Sequence, residues 1–367
     1  MAAIPIPPPP SLLARHRILA PTAGQLGECD KETSFGILDY FYSQGGNFID
    51  TAVNYQDGDS KTWLGEWMEK RRLRDDMVVA TKYTGNHTAH LGNQMIHSNT
   101  GGTRSLERLR TSYIDLYYVH LWDSTTSIPE VMNALNDLVR SRKVLYLGIS
   151  DTPAWLVVKM NCYARQHGLT QFSVYQGRWS AAERDFERDI IPMCQDEGMS
   201  LAPWGVIGSG YFKSKEQRAK GGGRDFAAII TGKEAQVSDV LERVAAKKNT
   251  LITSVAMAYV MHKAPYTFPI VGGRKIEHLK GNIEALGLKL SEDDIREIEG
   301  AYKFELGFPN NMWNPQNKMI LGPEDNAFNA RHGMFDYVVK PGPIKPHEGP
   351  LDKPFKDLSA PSVKTDI

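Results

Sequence analysis

Met77-Val-Val-Ala-Thr-Lys82 is a short apolar run that ends on an amine, and two other stretches of the chain follow the same plan. Asn47-Phe-Ile-Asp50 ends on a carboxylate, with the phenol of Tyr55 shortly after it, and Ile114-Asp-Leu-Tyr-Tyr-Val-His120 ends on an imidazole. Runs of this length, rich in β-branched and aromatic residues, read as strands. An acid, a phenol, an amine and an imidazole at the carboxyl ends of successive parallel strands would converge on one proton-transfer site.

Outward from these runs, helical and strand periods alternate between about Glu28 and Leu290. Further strands are expected at Val144 to Ser150, Phe172 to Gln176, Leu201 to Trp204 and Phe268 to Val271. Helices are expected at Lys31 to Gln44, Thr62 to Lys70, Ile128 to Ser141, Ala154 to His167, Glu183 to Glu197, Val237 to Lys248 and Ile276 to Leu286. This alternation predicts an α/β fold with a parallel sheet and right-handed crossovers. A (β/α)8 TIM barrel and a doubly wound sheet both satisfy it. The barrel is preferred because polar groups stand at strand ends along the whole series, not at one switch point.

A Pro-rich lead-in over residues 1–24 precedes the expected barrel at 25–302. The prolines of Ile4-Pro-Ile-Pro-Pro-Pro-Pro10 are incompatible with a signal-peptide helix. A last helix, Ser291 to Tyr302, leads into a tail over 303–367, expected partly to cover the barrel mouth and to be disordered past Lys340. Lys plus Arg and Asp plus Glu are equal at 43 each, so no global field recruits nucleic acid or an anionic membrane. No apolar stretch approaches the ~20 residues that cross a bilayer. The 3 cysteines, Cys29, Cys162 and Cys194, lack disulfide or zinc spacing and fit a reducing cytoplasm. No metal site is expected; His87 and His90 lack an acidic or cysteine partner.

Taken singly, Asp50 reads as a helix cap, Lys82 as a solvated lysine and His120 as a satisfied core residue. Taken together they make a proton donor of Tyr55, because a phenol with a pKa of ~10 is a poor donor until a nearby ammonium stabilises its phenolate. Lys82 can supply that charge, Asp50 can hold Lys82, and His120 can orient a substrate oxygen.

Gly46-Asn-Phe-Ile-Asp-Thr-Ala-Val-Asn-Tyr55, Thr81-Lys82, Tyr113-Ile-Asp-Leu-Tyr-Tyr-Val-His120, Gly148-Ile-Ser-Asp151 and Pro269-Ile-Val-Gly-Gly-Arg274 resemble, in the same order, the motifs of the aldo-keto reductases. His120-Leu-Trp-Asp123, Asp151-Thr-Pro-Ala-Trp155 and Ala202-Pro-Trp-Gly205 look closest to the fungal aryl-alcohol dehydrogenase branch, which includes enzymes named for reduction of the polyketide ketone norsolorinic acid. The resemblance implies an aldo-keto reductase barrel in which NADPH delivers hydride to a small aldehyde or ketone and Tyr55 supplies the proton. Lys82 would lower the Tyr55 pKa, Asp50 would pair with Lys82, and His120 would bind the carbonyl oxygen.

On the same reading, Ser150, Asp151 and Gln176 would bind the nicotinamide carboxamide and Trp204 would stack on its ring. Gly205, Gly208 and Gly210 form a flexible backbone run suited to the pyrophosphate. Gly272-Gly273-Arg274-Lys275 opens a helix, where free N–H groups attract anions. A guanidinium there favours a 2′-phosphate, hence NADPH over NADH. His278 and Asn282 match positions near the adenine, whereas Gly281 replaces the usual acidic residue.

Two departures stand against the family pattern. The first strand and its Gly turn are absent between Gly24 and Gln25, so seven strands are counted, and an open barrel would expose two edges unless a segment such as Arg17-Ile-Leu-Ala20 filled the gap. The crossover between Thr100-Gly-Gly102 and Ile114 holds only about two helical turns, shorter than usual. A cofactor-binding, redox-sensing module or an inactive truncated paralogue is therefore the alternative to an enzyme. Gly221-Gly-Gly-Arg224 lacks the Lys-Ser/Thr of a P-loop and reads as a mobile loop.

Overall fold

The computed structural model describes residues 17–19, 29–84, 101–219, 232–333, 336–338 and 340–351. Eight strands follow in chain order: β1 (Arg17–Leu19), β2 (Phe48–Asp50), β3 (Val78–Tyr83), β4 (Ile114–Val119), β5 (Val144–Ser150), β6 (Phe172–Arg178), β7 (Ser200–Trp204) and β8 (Ile270–Val271). All paired neighbours are parallel, in the order β7-β6-β5-β4-β3-β2-β1-β8. Leu201 of β7 bridges to Thr267 ahead of β8, through Leu201 N to Tyr266 O at 3.0 Å and Phe268 N to Leu201 O at 2.8 Å. That bridge closes the sheet into a barrel.

The seven-strand count is thereby corrected. Arg17–Leu19 fills the first position, paired to β2 on one side and β8 on the other, so neither strand is left with a bare edge. It is the segment Arg17-Ile-Leu-Ala20 that the sequence offered to fill the gap. The first strand lies inside the lead-in of residues 1–24.

The helices are α1 (Lys31–Ser43), α2 (Asp59–Arg71), α3 (Gly101–Leu109), α4 (Ile128–Arg140), α5 (Ala154–His167), α6 (Ile190–Asp196), α7 (Lys215–Ala219), α8 (Glu234–Lys248), α9 (Ile252–Lys263), α10 (Ile276–Glu284), α11 (Glu292–Glu299) and α12 (Asn310–Trp313). Local chemistry sets several ends. Asp30 caps α1 through Thr33 N at 2.7 Å, Ser127 caps α4, and Ser291 with Asp294 forms a capping box on α11. Gly168 ends α5 in the left-handed region, with φ of 64°.

Ahead of β4, α3 packs closely on α2. A Cβ on Gly65 of α2 would stand 2.7 Å from the Leu109 carbonyl carbon, so the glycine lets α3 press its last turn directly onto α2. α3 spans nine residues ahead of β4.

Two cores result. The larger lies between strands and helices and includes Trp67, Phe41, Met160, Trp179 and Val255. The smaller fills the barrel, with Phe48, Ala80, Leu116, Tyr118, Val174, Ala202 and Ile270. Strand side chains alternate faces. Two residues beyond Phe48, Ala80, Tyr118, Val174 and Ala202 stand Asp50, Lys82, His120, Gln176 and Trp204, so the layer above the barrel core is polar.

After α11 the chain lays Phe304 against the guanidinium groups of Arg184 and Arg188, 4.5 and 4.9 Å from the ring centre. Further on, His347 N donates to Leu286 O at 2.7 Å, and Ile344 and Pro346 face Met261, Phe268, Leu286 and Leu288 around a small cavity. Phe268 precedes β8, so this stretch covers the amino-terminal end of the barrel. His87, His90, Gly221–Arg224 and most of the lead-in lie outside the described residues. Among the described residues no helix is long and apolar enough to cross a membrane.

Candidate active site

Lys82 and Asp50 are completely buried and form an ion pair. Lys82 Nζ also donates to Thr51 O at 3.0 Å and reaches Tyr55 Oη at 3.4 Å. Asp50 receives a second bond, from Gln176 Nε2 to Oδ2 at 3.0 Å. Burial opposes the charge on Lys82, but the Asp50 carboxylate outweighs it and holds the ammonium above its usual range. The carboxylate thus fixes a cation beside the phenol.

Tyr55 is delivered by an unusual turn. Gln56, Asp57 and Gly58 all have positive φ, 47°, 52° and 100°. The left-handed run folds the chain back on itself directly after Tyr55, and a Cβ at Gly58 would collide with the Arg108 guanidinium. The Tyr55 ring meets the His120 ring edge-on, with centroids 6.0 Å apart and planes at 83°.

The expected lowering of the Tyr55 pKa is not the net result. Burial raises it, Lys82 pulls it down and Asp50 pushes it up again, leaving the phenol above its ordinary value. A protonated phenol is the form that can donate. His120 is pushed down to about 3 by burial and by the charges of Lys82 and Lys61, so its imidazole is neutral at physiological pH. Its Nδ1 is buried without a hydrogen-bond partner.

The second ring of expected residues borders the first. Ser150 Oγ donates to Asp151 Oδ2 at 3.2 Å, and Trp204 Nε1 lies 3.3 Å from Asp151 Oδ1. Asp151 itself has φ of 43°, with its N–H bonded to Gln176 O at 3.0 Å. Gln176, expected at the carboxamide, spends its amide N–H on Asp50. Gly205, Gly208 and Gly210 all have positive φ, and a Cβ on Gly210 would meet nothing within 4 Å. Backbone therefore approaches open space after β7, as a pyrophosphate would require.

Beyond β8, Gly272 leads to exposed Arg274 and Lys275 at the start of α10, whose first turn has no side-chain cap. His278 is exposed on the same helix and Asn282 is buried at 4%. Uncapped N–H groups with two cations beside them suit a phosphate. The donor set at the ends of β5, β7 and β8 fits a nicotinamide dinucleotide.

Thr51 and Tyr118 took no part in the sequence reading. Thr51 gives its carbonyl to Lys82, and the Tyr118 ring lies 5.8 Å from Lys82 Nζ. Strand alternation was the available signal for Tyr118, two residues before His120. Its ring lies over Gly148, its partner on the neighbouring strand β5, where a Cβ would stand 3.2 Å from Cγ.

Residues 20–303 match the model of the Aldo/keto reductase family. An aryl-alcohol dehydrogenase of Pestalotiopsis microspora is 50% identical over 96% of this chain and 99% of its own. A norsolorinic acid reductase of Aspergillus flavus is 54% identical over 94% of this chain and 96% of its own. Norsolorinic acid reductase A of Aspergillus parasiticus is 54% identical over 83% and 86%.

Proposed function

The chain belongs to the aldo/keto reductase family and is an oxidoreductase, and on that premise we propose that it reduces an aryl aldehyde or aromatic polyketide ketone with NADPH. The observation that carries the reading is the buried Asp50–Lys82 pair with Tyr55 Oη at 3.4 Å from its ammonium. When bound, a reduced nicotinamide supplies the hydride that joins the carbonyl carbon.

Tyr55 Oη gives its proton to the carbonyl oxygen as negative charge builds there. The Lys82 ammonium stabilises the phenolate that is left, and Asp50 keeps that ammonium charged and in place. His120, neutral, holds the carbonyl oxygen by a hydrogen bond without competing for the proton. Exposed Leu121, directly after His120, gives the approach an apolar surface suited to an aromatic ring. Ser150, Asp151 and Trp204 would seat the nicotinamide end, the glycines after β7 the pyrophosphate, and Arg274 and Lys275 the 2′-phosphate.

The test is cofactor consumption by purified protein with aryl aldehydes and anthraquinone ketones, NADPH and NADH being compared. Turnover with NADPH that yields the alcohol supports the reading. Saturable NADPH binding with no turnover across both substrate classes would replace it by a binding module.

A further inference from the structure

Lys61 lies near the site, and the reaction just described does not use it. It lies in the first turn of α2, directly after the left-handed turn that carries Tyr55, and is 1% exposed. Its Nζ is 2.5 Å from Ser105 Oγ on α3. Among the described residues no carboxylate lies within ion-pair distance. The charged groups that face it are of its own sign: Arg108 from α3 and Lys82 from β3. His120 at the end of β4 feels its field, while Asp57 and Asp59 on its own segment are exposed. Its neighbour Ser60 bonds Thr51 Oγ1 at 2.8 Å, and the Thr51 carbonyl holds Lys82, so one short path ties α2 to the reacting groups.

Resting on the reading of Tyr55 as proton donor, we propose that Lys61 is a positioning residue of the carbonyl reduction, whose charge, held between α2 and α3 behind the Tyr55 turn, adds positive potential at His120 and Lys82 and so ties turnover to pH. A buried ammonium without a counter-ion is costly and releases its proton readily. Burial, then Arg108 and Lys82, bring Lys61 down to about 7. Below that pH it carries charge and helps to stabilise the developing phenolate and alkoxide; above it the help is withdrawn. The hydrogen bond to Ser105 serves either state, with the hydroxyl accepting from the ammonium or donating to the amine.

The experiment is the pH profile of kcat for NADPH-dependent reduction in the wild type, Lys61→Met and Arg108→Gln, alongside NMR of lysine-labelled protein without substrate. The wild type should lose activity about threefold to tenfold as pH rises through neutrality. Lys61→Met should remove that inflection with NADPH affinity unchanged. Arg108→Gln, by deleting a like charge, should move both the inflection and the Lys61 resonance to higher pH. An unchanged inflection in Lys61→Met, or a Lys61 resonance that does not titrate near neutrality, overturns the proposal. A wild type that reduces no carbonyl at all overturns the functional reading instead, because the NMR titration needs no turnover.

Discussion

Gln176 on β6 donates its side-chain amide to Asp50 on β2 at 3.0 Å, from a strand four places away in the barrel. The bond spans the barrel interior and holds the carboxylate that holds Lys82. Asp50 therefore has its two oxygens committed, one to Lys82 on the neighbouring strand and one to Gln176 across the barrel. A rigid acid of this kind fixes an ammonium better than a solvated one.

Asp50→Asn leaves the Lys82 charge buried without its counter-ion. The expected loss is roughly 3–5 kcal/mol of folding stability. Adding Lys82→Met should recover part of it, since an apolar side chain of similar length asks for no counter-ion. Urea unfolding of both variants measures this, and a double variant less stable than Asp50→Asn would contradict it.

Tyr55→Phe should lower kcat by about 10²-fold or more, the usual scale for a positioned acid. The ring, its edge contact with His120 and the cofactor surface all remain, so NADPH affinity should stay within about twofold. Stopped-flow turnover together with fluorescence titration separates the two effects. Near-normal kcat would remove Tyr55 as the donor.

If Arg274 holds the 2′-phosphate as proposed, Arg274→Ala should weaken NADPH by about tenfold or more and leave NADH little changed, because NADH offers that guanidinium no phosphate. Quenching of tryptophan fluorescence, with Trp204 beside the nicotinamide position, reports both titrations. Equal losses would place Arg274 elsewhere.

The pH dependence of stability should carry the mark of His120. Its folded value of about 3 lies below the ordinary 6.5, so between these values the unfolded chain binds the extra proton. Stability is then full above about 6.5 and is lost as pH falls toward 3. In His120→Gln that slope should be shallower, as measured by urea midpoints from about pH 6.5 downward. Identical slopes would mean that the imidazole charges as easily folded as unfolded.

The reactive ends of β2, β3 and β4 were legible because each closes an apolar run with a polar residue, a pattern that survives without any long-range information. Two elements were not legible. α9 has an unbroken buried stretch from Ser254 to Val260, so no polar face gives it a helical period. β1 was named only as the segment Arg17-Ile-Leu-Ala20 that could fill the gap; it is three residues long and owes its place to the strands on either side. The protonation of Tyr55 was read from its partner Lys82 alone. Burial, which outweighs that partner, is a property of the assembled barrel and has no sequence signature.

The seam where Ile344 and Pro346 meet Phe268 and Leu288 sits at the opposite pole from Tyr55. A compound or peptide that competes for that seam would soften the fold while leaving the substrate entrance clear. Loop exchange around Leu121, conversely, can diversify what enters while this far clasp keeps the scaffold shut.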